Sequence, residues 1–114
     1  AMMPAEVVWS PVAVSDLDAI WKWITFKNGE PTAAERTVTA ILDRVEGVAD
    51  YPLATTPLDS RCRIRSNWRF VEERGYLAFL RVDGNRVFVD RVLSGKSDYL
   101  RKLFNLEDGT PFYA

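Results

Sequence analysis

Apolar residues recur at helical spacing early in the chain. Val14, Leu17, Ile20, Trp21 and Ile24 form one stripe, the pattern of a helix with one buried face. Ser10-Pro11 just ahead reads as a helix start, with the hydroxyl as N-cap and the proline in the first turn. Lys27-Asn28-Gly29 reads as its stop. A second stripe, Ala34, Val38, Ile41, Val45 and Val48, runs to about Asp50. Thr32-Ala33-Ala34-Glu35, after Pro31, reads as its capping box. Two such helices joined by a short Gly/Pro turn make an antiparallel hairpin. Ahead of them, Val7-Val8-Trp9 is a short β-prone run.

YPLATTPLDS, residues 51–60, is rich in Pro, Ser and Thr and reads as a loop. Beyond it the period changes. RCRIRSNWRFV, residues 61–71, carries arginine at alternate positions 61, 63 and 65, the pattern of a half-exposed strand. YLAFLRV and RVFVDRVL flank Asp83-Gly84-Asn85, a hairpin signal. The element order is therefore β-α-α-β-β-β, an α+β domain of about four strands. Alternation puts Tyr76, Ala78, Leu80, Val82, Val87, Val89 and Leu93 on the face toward the helices. It puts Leu77, Phe79, Arg81, Arg86, Phe88, Asp90 and Val92 on the other. That second face has no helix in the first sixty residues to cover it. Either the tail supplies the cover (Leu103, Phe104, Phe112, Tyr113) or a partner does, and an apolar strip rimmed by charge is expected to bind.

Composition narrows the chemistry. The 114 residues fit one domain, 47% hydrophobic and 27% charged. Ala1 ahead of Met2 reads as an expression scar, with 1–5 a flexible start and 103–114 a tail. The start reads as neither signal peptide nor membrane span, so the expected compartment is the cytoplasm. The absence of histidine excludes a Ser-His-Asp triad, His-ligated zinc and a His general base. The single Cys62 excludes an internal disulfide and reads as a passive thiol. No metal or cofactor is expected. Asp16 and Asp18 lie two apart, do not share a helix face, and are no carboxylate pair. Glu72-Glu73 reads as a solvated turn. Trp23 falls off the helical stripe and is expected to touch a partner or a second copy. The net charge of −1 hides a split: residues 1–60 hold 4 Lys/Arg against 9 Asp/Glu, whereas residues 61–102 hold 11 against 5. A basic back half suggests a face offered to an anionic partner.

VVWSPVAVSDLDAIWKWI resembles the opening of the RelE/ParE superfamily of bacterial toxin–antitoxin toxins, a short strand running into W-S-P-x-A and then a D-L-x-x-I helix. GYLAFLRVDGNRVFVDRVLSGKSD is similar to that family's last hairpin. The resemblance covers roughly residues 6–100 and implies a small twisted antiparallel sheet with a helical hairpin packed on one face. It also implies one of two activities, ribosome-dependent mRNA cleavage in the RelE-like branch or inhibition of DNA gyrase in the ParE-like branch. The ribonuclease pattern is largely missing. Leu77 and Ser97 stand where RelE-like enzymes place arginines, Ser94 where relatives place a histidine, and Leu103 near their tyrosine. Of two lysine positions one falls on Arg65 and the other on Asn67. A ribonuclease would have to use Arg65, Arg69, Lys96 and Tyr99. Arginine stabilises phosphate but is a poor general base, which leaves proton transfer to Lys96 or Tyr99. Arg69 is expected to be structural, holding a carboxylate or carbonyl beside the sheet.

The resemblance thus favours a ParE-like toxin that acts by binding and is neutralised by a cognate antitoxin, with DNA gyrase the implied target. A divergent RelE-like mRNA endonuclease acting on the ribosome is the alternative, and a toxin fold without toxicity the third reading. The antitoxin tail is expected on the face of Leu77, Phe79, Phe88 and Val92. The further contacts are Arg81, Arg91, Lys96, Tyr99 and Arg101. A homodimer, or a heterotetramer with the antitoxin, is the expected assembly.

Overall fold

The computed structural model describes residues 4–105. The elements are β1 (Glu6–Trp9), α1 (Pro11–Asn28), α2 (Pro31–Glu46), β2 (Thr56–Pro57), β3 (Arg69–Glu73), β4 (Tyr76–Asp83), β5 (Arg86–Ser94) and α3 (Tyr99–Phe104), with short 3₁₀ turns between α2 and β3. The α+β class and the β-α-α-β-β-β order stand, but the sheet is larger and mixed. Five strands run in the order β1-β5-β4-β3-β2, because β1 pairs parallel to β5 and the two-residue β2 adds an edge. Glu72 and Glu73 lie in β3, opposite Leu77 and Tyr76, and are not a turn. Residues 61–68 form a loop where alternate arginines suggested a strand.

The helical hairpin follows its local signals. Ser10 Oγ accepts a hydrogen bond from the Ala13 amide at 3.0 Å, satisfying one of the orphan N–H groups of the first turn of α1. Gly29, at φ 75°, ends α1 in the left-handed conformation that an L side chain resists, and its N–H returns to Thr25 O. The capping box of α2 does not form. That helix starts one residue earlier than Thr32, with Pro31 in its first turn and Glu30 as an N-cap making no side-chain bond. Proline needs no N–H partner there, which removes part of the demand for a cap.

Two cores lie on opposite faces of the sheet. The first joins the helices to Ala78, Leu80, Val87, Val89 and Val92, through Ala13, Leu17 and Ile20 of α1 and Ile41 and Val45 of α2. Each fully buried aliphatic side chain contributes about 1.5–3 kcal/mol. Val14 and Trp21, expected in the α1 stripe, are 53% and 37% exposed, and Ala13 takes the inward position. The second core buries Leu77, Phe79 and Leu93 beneath Leu100 and Leu103 of α3 and Leu58, Cys62 and Phe70. The outer face is therefore covered within the chain. Leu103 and Phe104 belong to that cover as one of the two expectations had it, while Phe112 and Tyr113 lie outside the described residues.

Val92 and Leu93 exchange the faces that alternation assigned them. Along β4 and β5, Leu80 pairs with Val89 but Phe79 pairs with Arg91, leaving Asp90 as an extra residue. A bulge of one residue reverses the inward and outward parity of everything after it. Val92 accordingly joins the helix-facing core and Leu93 the outer one. The bulge lies where β1 ends. There Ser10 takes over the edge of β5, donating its N–H to Val89 O and its hydroxyl to Asp90 O, each at 3.0 Å.

Candidate functional site

Past the end of β1, the open edge of β5 faces α1 directly. Asp16 fills that edge. Its carboxylate accepts from the Val92 amide at 2.9 Å and from Arg91 Nε and Nη2 at 2.8 and 3.0 Å. A carboxylate with three donors does the work of a missing strand. The same contact raises the Arg91 pKa above its ordinary value, chiefly through the hydrogen bond to Asp16, which with the carboxylate charge outweighs the opposing effect of burial. Beyond this clasp, α1 and β5 diverge into a groove of about 560 Å³. Its walls include Ala19, Ile20 and Trp23 of α1, Tyr76 of β4 and the end of β5, with Lys96 and Lys102 at its mouth. Burial pushes the Tyr76 hydroxyl above the ordinary tyrosine range, so it stays a neutral hydrogen-bonding group at this wall.

Aromatic surface continues from the groove along α1. Trp23 is 56% and Phe26 82% exposed, and their rings stack at 6.3 Å. Lys27 Nζ lies 5.9 Å from the Trp23 ring. Spacings of three and four residues place these side chains on one side of the helix. Trp23 stood out in sequence; Phe26, Ala19 and Lys102 did not. The available signal was the spacing of Trp23, Phe26 and Lys27, which the stripe toward the core obscured.

The other residues singled out by sequence are dispersed. Leu77, Phe79 and Val92 are buried and form no open strip, contrary to the expectation of an exposed outer face. Arg81 pairs with Asp90 through both Nε and Nη2 and lies 5.1 Å above the half-buried Phe88 ring. The Asp90 hydrogen bond raises its pKa above the ordinary arginine value. Trp68 Nε1 donates to the same Asp90 carboxylate at 2.8 Å. Tyr99 packs its ring 5.8 Å from Phe79, and Arg101 pairs with Asp98 at 2.7 Å. Arg69 donates to Thr55 Oγ1 at 2.7 Å and to Leu53 O at 3.1 Å, anchoring the loop after α2 to the start of β3. Arg65 is exposed on the 61–68 loop, and Lys96 is exposed at the groove. Arg69 is level with Leu80, and Ser94, two residues before Lys96, is level with Tyr76. Four strand residues separate those levels by about 13 Å. Arg69 and the end of β5 that leads to Lys96 therefore lie at different levels of the sheet. Among the described residues no three His, Cys, Asp or Glu side chains come together as a metal site.

The helical hairpin packed on one face of the sheet is the arrangement that the resemblance implies, with β1 joining β5 in parallel as the departure from it. The family model for the ParE toxin of type II toxin–antitoxin systems, parDE, matches residues 7–99. The chain belongs to the ParE toxin family. No curated protein matches the chain. Among solved structures, the chain is similar to one from the chromosomal ParDE toxin–antitoxin system of P. aeruginosa, at 23% identity and a TM-score of 0.67. That likeness covers 79% of this chain and 95% of the other. It is also similar to one from the RelBE2 toxin–antitoxin complex of Mycobacterium tuberculosis, at 17% identity and a TM-score of 0.57, covering 81% and 99%. At these identities the structural likenesses speak for the fold, and the family model carries the membership. Among the described residues of this ParE-family toxin, no helix is long and apolar enough to cross a membrane.

Proposed function

We propose that this ParE-family chain is a cytoplasmic toxin that acts by binding, with DNA gyrase as its target, and that a cognate antitoxin neutralises it. The observation that carries this reading is the groove between α1 and β5, where Trp23 stands exposed beside Lys96 and Lys102. Exposed aromatic surface edged by cations suits an amphipathic partner segment that brings an apolar anchor and carboxylates. The antitoxin segment is assigned to this groove because Leu77 and Phe79 lie beneath α3. A binding mode of action is further supported by the engagement of Arg69 with Leu53 and Thr55 and by its separation from Lys96.

The test runs the purified protein in two assays side by side, gyrase supercoiling and mRNA cleavage on translating ribosomes. Inhibition of supercoiling, relieved by the antitoxin, is expected, with no codon-specific cleavage. Cleavage that disappears in Lys96→Ala and Tyr99→Phe would establish the endonuclease instead.

A further inference from the structure

The loop that replaces the expected strand at 61–68 keeps that strand's alternation. Cys62 is buried and Ile64 half-buried, both packed into the outer core, while Arg61, Arg63 and Arg65 are exposed. Two contacts hold the loop in shape. Asp59 Oδ1 accepts from the Ser66 amide at 2.9 Å and from its hydroxyl at 3.4 Å, closing the segment across its base. The Arg61 guanidinium lies 5.0 Å above the Phe70 ring. Arg61 also shares a polar cavity of about 330 Å³ with Arg44 of α2, lined further by Thr55, Thr56 and Glu72. Among the described residues, none of Arg44, Arg61, Arg63 and Arg65 has an ion-pair partner, whereas Arg81, Arg86, Arg91 and Arg101 each do. Arg44 and Arg61, facing one cavity without ion-pair partners, repel each other, and an anionic partner offsets that cost.

We infer that Arg61, Arg63 and Arg65, with Arg44 beside them, form a contact surface for the phosphodiester backbone of duplex DNA. Guanidinium forks bind phosphate oxygens in pairs, which a lysine ammonium does not. Its cations are all arginine, with Glu72 lining the cavity beside Arg44 and Arg61. An acidic peptide draws most of its affinity from apolar anchors seated in pockets, and here the apolar side chains Cys62 and Ile64 are turned into the core. From 61 to 65 the backbone spans at most about 14 Å, comparable to the axial rise over about four nucleotides of one strand. A rigid duplex presents such a row without having to be ordered first. The ridge shares no residue with the α1–β5 groove, so DNA and a groove-bound partner can be held together. The inference does not depend on gyrase being the target.

Fluorescence anisotropy of the full chain with a labelled 20-base-pair duplex, over a series of salt concentrations, tests it. The comparison is Arg63→Ala/Arg65→Ala, two exposed positions, with thermal unfolding confirming that the variant folds. The wild-type slope of log affinity against log salt is expected near −3 to −4, for three or four phosphates at about 0.9 each, and about two units shallower in the variant. If the electrostatic contribution vanishes near 1 M salt, that difference is about 60-fold in affinity at 0.1 M. An unchanged slope in the variant, or no duplex binding at low salt, overturns the inference. Binding confined to a single-stranded RNA of the same length, or to an acidic peptide, overturns it equally.

Discussion

Asp16 supports the groove wall, and its removal should be felt both in stability and in the site. Its pair with Arg91 is bidentate, and the two side chains retain 14% and 28% of their exposure. Exposed pairs contribute about 0–1 kcal/mol, and breaking a fully buried one costs about 3–5 kcal/mol. Between these limits, stranding Arg91 is expected to cost about 2 kcal/mol. Losing the acceptor for the Val92 amide adds about 1 kcal/mol. Asp16→Ala should therefore destabilise by about 3 kcal/mol, or about 12 °C in melting temperature for a domain of this size. Urea unfolding of Asp16→Ala, Arg91→Ala and the double variant should give a coupling energy of about 1.5–2 kcal/mol. Arg91 is held above its ordinary value, so its contribution is complete below that value and is lost only as pH rises past it. Raising the pH from 7 to 10 should leave the coupling unchanged. A coupling under about 0.5 kcal/mol would refute the role assigned to this clasp.

Leu100, fully buried in the outer core, should cost about 2–5 kcal/mol when changed to alanine, and α3 should lose hydrogen-exchange protection with it. Unchanged protection across α3 would mean that Leu100 does not seat that helix. Arg74 and Gly75 both have positive φ in the turn from β3 to β4, at 52° and 83°. Asparagine suits such a turn better than arginine, so Arg74→Asn should raise stability by up to about 1 kcal/mol, and a lower melting temperature would contradict this.

The groove was only half legible in the residues. Lys96 and Trp23 stand out by type and position, and the structure places both at it. Phe79 looked equally suited to binding because it shares a strand face with Arg81, yet it is wholly buried. Its cover comes from Leu58, Leu100 and Leu103, which are remote from β4 in sequence. No local pattern specifies that they meet.

What the sequence determines by itself is what short-range chemistry settles. Ser10 caps α1 and Gly29 ends it, the stripe from Ala34 to Val48 turns inward with only Val38 half-buried, and the two-residue turn at Gly84-Asn85 joins β4 to β5. Each rests on groups within a turn or two of one another, or on a periodicity carried by one element. Only the tertiary structure decides the parallel pairing of β1 with β5 and the bulge at Asp90. It also decides the loop at 61–68, where the alternation of Cys62 and Ile64 survives with only an isolated bridge at Cys62. Alternation assigns faces only while register is unbroken. Register at β5 depends on where β1 stops and on Ser10 and Asp16 taking its place along the edge. Those partners lie 75 or more positions away from the residues they hold.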